Sequence, residues 1–208
     1  IESLAGSGLC VGSVYIEEGQ QSYYAARPYH SNRNDWAIRK NKIMYGAIDY
    51  FFRDDYRACV GIGAKSFPLL DAKKKVVLDD FVSLKKWYVP KLVGVQNIGI
   101  TPAPRRIPDY AIASMAKTFA KIIPDGGVVK LHPGFNVHKK KARCFKRELE
   151  LASRGRVSCA TESTVVELEM MYEAKILFGT RSSVSIYAEA LGSQYRSVDF
   201  TGYIQPLN

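Results

Sequence analysis

From Val95 onward the chain alternates short apolar runs with amphipathic stretches, and that alternation leaves few folds open. The apolar runs are Val95–Ile100, Val128–Leu131, Arg156–Ala160, Lys175–Phe178 and Tyr195–Phe200. Between them, Ile112, Met115, Ala116, Phe119, Ala120 and Ile123 recur at three- and four-residue spacing after Ile107-Pro108, which is the signature of a half-buried helix. Further helical stretches are expected at Lys140–Ser153, Thr164–Tyr172 and Val184–Leu191. The breaks between elements are explicit: Thr101-Pro102-Ala103-Pro104, Pro124-Asp125-Gly126-Gly127 and Gly192 each stop what precedes them. A β-α-β-α-β-α-β-α-β order predicts a parallel sheet with right-handed crossovers and helices on both faces. Residues 95–208 are therefore expected to form a Rossmann-like domain.

The first ninety-odd residues carry weaker signals. Gly8–Ile16, Arg57–Ile62 and Lys75–Leu78 read as short strands and Phe81–Trp87 as a helical turn, so 1–94 is expected to be part of a second α/β domain. The chain is 208 residues long and opens on Ile1, which suggests a piece of a longer protein. No apolar run approaches the ~20 residues that span a bilayer. Cys10, Cys59, Cys144 and Cys159 lie far apart with no C-x-x-C pair, which favours reduced thiols over a zinc site or a disulfide framework, although two bridges remain arithmetically open.

In open parallel sheets, ligands sit beyond the carboxyl ends of the strands, so the residues that end each apolar run carry the functional argument. Val128–Leu131 runs directly into His132-Pro133-Gly134. Pro133 cannot donate to a ladder and Gly134 accepts turn dihedrals, so the strand must end there with one imidazole delivered to its tip. Either His132 tethers the loop or it faces a ligand. Lys175–Phe178 runs into Gly179-Thr180-Arg181-Ser182-Ser183 just ahead of a helix. Hydroxyls and free backbone N–H groups at a helix start make an anion site, and Arg181 adds a fork of donors matched to phosphate. The alternative is that Ser182 only caps the helix. Near the amino terminus, Glu17-Glu18-Gly19 ends another strand, and one carboxylate there can serve as a general base or both can belong to a solvated turn. No G-x-G-x-x-G follows a strand, and there is no Walker-type G-K-S/T, so dinucleotide and P-loop readings are disfavoured.

The net charge is +10, with Lys139, Lys140, Lys141, Arg143, Lys146 and Arg147 crowded into one segment and Lys73–Lys75 into another. Such clusters attract phosphates, acidic polymers or anionic lipid surfaces, or they simply line a solvated helix.

Taken in order, Glu17-Glu18-Gly19, His132-Pro133 and Ser182-Ser183 resemble the acidic-acidic-glycine, HP and paired-serine motifs of bacterial sialyltransferases. The likeness is to capsule polysialyltransferases and lipooligosaccharide sialyltransferases. Flanking text agrees: Tyr15-Ile16 before the acidic pair, Ser22-Tyr23 after it, Lys130-Leu131 before the histidine, and Val166-Glu167-Leu168 ahead of Phe178-Gly179-Thr180-Arg181-Ser182-Ser183. One departure stands out, because the family's first Rossmann strands should precede the acidic motif and only about sixteen residues do here. The resemblance implies a GT-B fold and inverting, metal-independent transfer from CMP-sialic acid, a nucleotide-sugar donor, to a glycan hydroxyl. It implies that Glu17 deprotonates the acceptor, that His132 stabilises or protonates the departing CMP phosphate, and that Ser182 and Ser183, with Pro133 and Arg181 beside them, hold that phosphate. No metal or other cofactor is implied. Lys139, Lys140 and Lys141 would attract an anionic acceptor, the nucleotide or a membrane surface, in a cytoplasmic enzyme working at the inner face of the membrane.

Two other readings stay open. A capsule or wall polymer transferase of the CDP-glycerol type also places an HP motif ahead of paired serines, though without the acidic element. A non-catalytic module that binds anionic polymers would use the basic clusters alone. Nucleic acid is disfavoured as its target, because no recognised motif is present and the aromatics do not interleave with the basic runs.

Overall fold

A computed structural model describes residues 14–16, 57–62, 66–68, 71–78, 86–123, 125–180, 182–200 and 202. The chain forms two compact units, Ile1–Asp80 and Phe81–Asn208.

In the first unit the described residues include three short strands, β1 (Val14–Ile16), β2 (Ala58–Gly61) and β3 (Lys75–Val77). They pair in parallel in the order β1-β2-β3. Cys59, at the centre of β2, is fully buried. Just before β3, Asp71 caps a single 3-10 turn by accepting from the Lys73 amide at 2.9 Å.

The second unit follows the order expected from the sequence. Its elements are β4 (Asn97–Ile100), α1 (Asp109–Ile122), β5 (Gly127–Lys130), α2 (Lys139–Ser153), β6 (Val157–Cys159), α3 (Val166–Tyr172), β7 (Ile176–Gly179), α4 (Ser183–Ala190) and β8 (Gln194–Ser197). All five strands are parallel, in the order β6-β5-β4-β7-β8. Steps from β4 to β5 to β6 run one way across the sheet, and the return to β7 and on to β8 runs the other. Right-handed crossovers then put α1 and α2 on one face and α3 and α4 on the other. Consistent with this, α1 packs on α2 and α3 on α4. The point where the direction reverses lies between β4 and β7.

The three central strands, β4, β5 and β7, carry buried apolar residues because both faces of the sheet are covered there. Ile98, Val129 and Leu177 are 0% exposed. Pro108 and Asp109 start α1, the proline needing no intrahelical partner and the carboxylate suiting the positive end of the helix. Its buried stripe of Ala111, Ile112, Met115, Ala116, Phe119 and Ala120 matches the predicted periodicity. Phe119 sits at the centre of an aromatic cluster, 6.0 Å from the Phe145 ring and 5.1 Å from Phe200. Gly99 makes room for it: a Cβ on β4 there would stand 2.7 Å from the Phe119 ring.

Residues 86–94, assigned by the sequence reading to the first domain, belong to the second unit. The buried Glu169 carboxylate on α3 accepts from the amides of Lys91 (2.9 Å) and Leu92 (3.0 Å) and from the Tyr88 hydroxyl. Buried Lys175 donates to the Leu92 carbonyl at 2.7 Å and pairs with Glu173 at 2.6 Å. These are side-chain clamps on extended backbone, which hydrophobic periodicity does not register. Burial, reinforced by the bond to Glu169, pushes the Tyr88 phenol up to about 12.

Among the described residues no helix is long and apolar enough to cross a membrane. Cys144 and Cys159 are free thiols, while Cys10 lies outside the described residues.

Candidate functional site

A crevice of about 640 Å³ opens at the carboxyl ends of β4, β5 and β7, at the point where strand order reverses. Its wall includes Thr101 from β4, Lys130 and His132-Pro133 from β5, and Thr180, Ser182 and Ser183 from the turn between β7 and α4. Two motifs fifty residues apart in sequence therefore share one cavity because their strands flank β4 on either side.

The turn after β5 is stitched at four points. The His132 amide donates to Thr101 Oγ1 at 2.8 Å, and the Thr101 amide donates to the Lys130 carbonyl at 3.2 Å. Phe135 N–H returns to the His132 carbonyl at 2.9 Å, closing a 3-10 turn over Pro133–Asn136. The Gly134 amide donates to His132 Nδ1 at 3.0 Å. That last bond decides the imidazole chemistry. With Nδ1 accepting, the neutral ring carries its proton on Nε2 and offers that N–H as a donor. Partial burial lowers the His132 pKa below the ordinary histidine value, which favours this neutral form. The loop-tether and ligand-facing alternatives thus coincide: one ring nitrogen holds the turn and leaves the other free to donate.

On the opposite wall, Gly179 ends β7 close against β4. A Cβ at Gly179 would lie 2.7 Å from the Ile100 carbonyl oxygen of paired β4. Ser182 occupies the N-cap position of α4 with an extended backbone, yet its side chain makes no capping bond. Its carbonyl accepts from the Ser185 amide (3.0 Å) and hydroxyl (2.6 Å) instead. Ser182 Oγ is shielded from solvent and makes no hydrogen bond of good geometry, approaching only the Tyr195 hydroxyl. The Tyr195 hydroxyl is its polar neighbour, but that proton is donated to the Thr180 carbonyl. Burial raises the Tyr195 pKa, partly offset by the contact with Ser182. A buried hydroxyl without a good partner is costly, and it stands beside the Ser183 and Val184 amides at the start of α4, which have no intrahelical acceptor. This wall presents donors to an anion.

Lys130 marks the edge of the crevice. Its ammonium donates to the carbonyls of Thr161 (3.0 Å) and Glu162 (2.6 Å), and burial lowers its pKa. Beyond it lies a second cavity of about 500 Å³, whose wall includes Lys139, Arg143 and Lys146 along one side of α2. The three consecutive lysines of the sequence reading therefore separate. Lys139 faces this cavity. Lys141 braces the fold, donating to the carbonyls of Pro104 (3.0 Å) and Ile107 and pairing with Asp109 at 3.4 Å. Lys140 is exposed and lines neither cavity.

Glu17, Glu18 and Gly19 lie outside the described residues, one step beyond the end of β1 at Ile16, and Arg181 lies outside them too. Among the described residues no three His, Cys, Asp or Glu side chains converge as a metal site would require. Sequence reasoning passed over Thr101, which is 2% exposed and holds the His132 amide. A usable signal was present, since Thr101 ends an apolar strand just as His132 does. Lys130 gave none, because a lysine at a strand end is ordinary.

A comparison of the chain with protein-family models and with curated proteins finds no match.

Proposed function

We propose that the chain is a glycosyltransferase of sialyltransferase type, transferring sialic acid from CMP-sialic acid to a glycan hydroxyl with inversion and without a metal. The observation that carries this reading is the convergence of His132-Pro133 and Ser182-Ser183 on one crevice at the reversal of strand order. Nucleotides favour that location in parallel sheets. The motif order in the sequence supplies the rest of the support.

In this reading the CMP phosphate occupies the crevice. As the acceptor oxygen forms its bond to the anomeric carbon, the bond from that carbon to the phosphate oxygen breaks and negative charge grows on the phosphate. Donors already aimed at that charge lower the barrier without reorganising. His132 Nε2–H, the Ser182 and Ser183 hydroxyls and the Ser183 and Val184 amides are the donors, and Arg181 adds a bidentate cation. Because Nδ1 is occupied by the Gly134 amide, His132 acts by donating the Nε2 proton and not as a standing imidazolium. Glu17 takes the acceptor proton. The full architecture would be GT-B, with 1–94 belonging to the acceptor side, in a cytoplasmic enzyme working at the inner membrane face on an acceptor that can itself be anionic.

A CDP-glycerol-type polymer transferase is the second reading, and one observation favours keeping it. The HP and paired-serine elements that meet in the crevice are the ones both families share.

A thermal-shift series with CMP, CMP-sialic acid, CDP-glycerol, UDP-sugars and GDP-sugars separates these readings. A ligand at a hundred times its Kd stabilises the fold by about 2.7 kcal/mol, well within detection. Stabilisation by CMP and CMP-sialic acid, reduced by Ser182→Ala, is the expected result. Preference for CDP-glycerol selects the second reading, and preference for uridine or guanosine nucleotides sinks both. Glu17→Gln should abolish transfer while leaving CMP binding intact.

A further inference from the structure

The second cavity has a character of its own. Lys139, Arg143 and Lys146 follow one another at four- and three-residue steps, so α2 presents them along one side at axial intervals of about 6 and 4.5 Å. All three line the cavity. None of them makes an ion pair or hydrogen bond among the described residues, whereas neighbouring Arg147 is paired with Glu148 at 2.8 Å and Lys141 is held by Asp109 and two carbonyls. The helix spends its own electrostatics on this arrangement. Its first turn holds Lys139, Lys140 and Lys141 and no acid, and its N-cap His138 makes no side-chain bond, so cations stand at the positive end of the dipole. That placement opposes the usual preference for acids there, and an anion in the cavity would relieve it.

We propose that this cavity is a separate anion subsite that takes an extended oligoanion, a linear chain whose phosphate or carboxylate groups run along the side of the helix. A single small anion would engage one pair of these side chains and leave the third unpaired. A chain of charges laid along the helix meets all three, since Lys139 and Lys146 stand about 10.5 Å apart along its axis. The phosphate-bearing and carboxylate-bearing classes share this chemistry. The subsite borders the crevice through Lys130, Leu131, Pro133 and Glu162, which line both cavities. It is nonetheless independent of the nucleotide reading, because none of Lys139, Arg143 and Lys146 lines the crevice.

The test is calorimetric titration of the full chain with sodium tripolyphosphate, orthophosphate and tetraglutamate at low ionic strength. Two double variants remove the same charge: Arg143→Ala with Lys146→Ala in the cavity wall, and Lys140→Ala with Arg147→Ala outside it. All four side chains are exposed, so both variants should keep the parent melting temperature. The expected result is tripolyphosphate binding that is weakened at least tenfold by the cavity variant and less than twofold by the control. Orthophosphate should bind at least tenfold more weakly than tripolyphosphate. Tetraglutamate binding with the same dependence on Arg143 and Lys146 assigns the carboxylate class as well, and its absence assigns phosphate. Equal losses in the two variants would show diffuse surface charge and overturn the proposal. Loss on His132→Ala without loss in the cavity variant would place the anion in the crevice and overturn it too. Binding through Arg143 and Lys146 to vesicles containing phosphatidylserine, with no binding of tripolyphosphate or tetraglutamate, would replace the subsite with a membrane contact.

Discussion

Gly179→Ala tests the strand contact that positions the Thr180–Ser183 wall of the crevice. The added Cβ would stand 2.7 Å from the Ile100 carbonyl oxygen and 3.1 Å from the Tyr195 hydroxyl, whereas ordinary contact begins at 3.4 Å. The deficit against Ile100 is 3.4 − 2.7 = 0.7 Å, and the atom it meets is backbone. Neither strand can retreat freely, because Ile100 and Gly179 are register partners in a ladder buried on both faces. Relief requires β7 to move away from β4, stretching the ladder and dragging Thr180–Ser183 with it. Overpacking of this kind costs about 1–3 kcal/mol. For a chain of this size that corresponds to a fall in melting temperature of about 2–12 °C. The assay is thermal melting with and without the ligand that best stabilises the parent protein. The variant should melt earlier and also gain less from that ligand, since the Ser182 wall has shifted. Gly202→Ala serves as control, because a Cβ there meets nothing within 4 Å. A Gly179→Ala protein that matches the control in both melting and ligand gain would refute the claim that strand proximity sets this wall.

Glu169→Ala removes the acceptor for two amides and the Tyr88 hydroxyl; each buried donor left unsatisfied costs about 1–3 kcal/mol, and amide exchange at Lys91 and Leu92 should accelerate far more than in β4. Protection unchanged at those two amides would show that Glu169 does not hold the segment. His132 has a folded pKa below the ordinary histidine value of 6.5, so the unfolded chain binds the proton first as pH falls. Stability from this group is therefore complete above about pH 6.5 and is lost as pH drops through the folded pKa; imidazole NMR should show the Nε2–H tautomer titrating below 6.5, and titration above it would refute the burial argument. Burial raises the Cys159 thiol to about 11, so at pH 8 it should resist iodoacetamide in the native protein and react after denaturation. Native labelling of Cys159 at the rate seen in urea would contradict its placement.

Much of the second unit was legible in sequence because its signals are local. Buried parallel strands read as apolar runs, and α1 declares itself through the three- and four-residue spacing of Ile112, Met115, Ala116, Phe119 and Ala120. The breakers between elements act through their own backbone dihedrals. Every strand and helix expected after Val95 is present, shifted by no more than about two residues at most ends. The paired motifs His132-Pro133 and Ser182-Ser183 were legible for the same reason, as residues that end an apolar run.

Other features depended on partners distant in sequence. Glu169 and Lys175 reach back some eighty residues to clamp the extended backbone at Lys91 and Leu92, which hydrophobic periodicity does not register. The basic run 139–147 reads as one cluster, yet helical rotation and packing send Lys139, Arg143 and Lys146 to a cavity, Lys141 to two carbonyls and Asp109, and Lys140 to solvent. The tautomer of His132 is set by the Gly134 amide, only two residues away, but through a turn whose shape depends on Thr101 of another strand. Sequence by itself determined which residues stand at strand ends, because periodicity and breakers are properties of neighbours along the chain. The tertiary structure decided which strand ends meet, because the order β6-β5-β4-β7-β8 brings His132 and Ser182 to either side of Thr101.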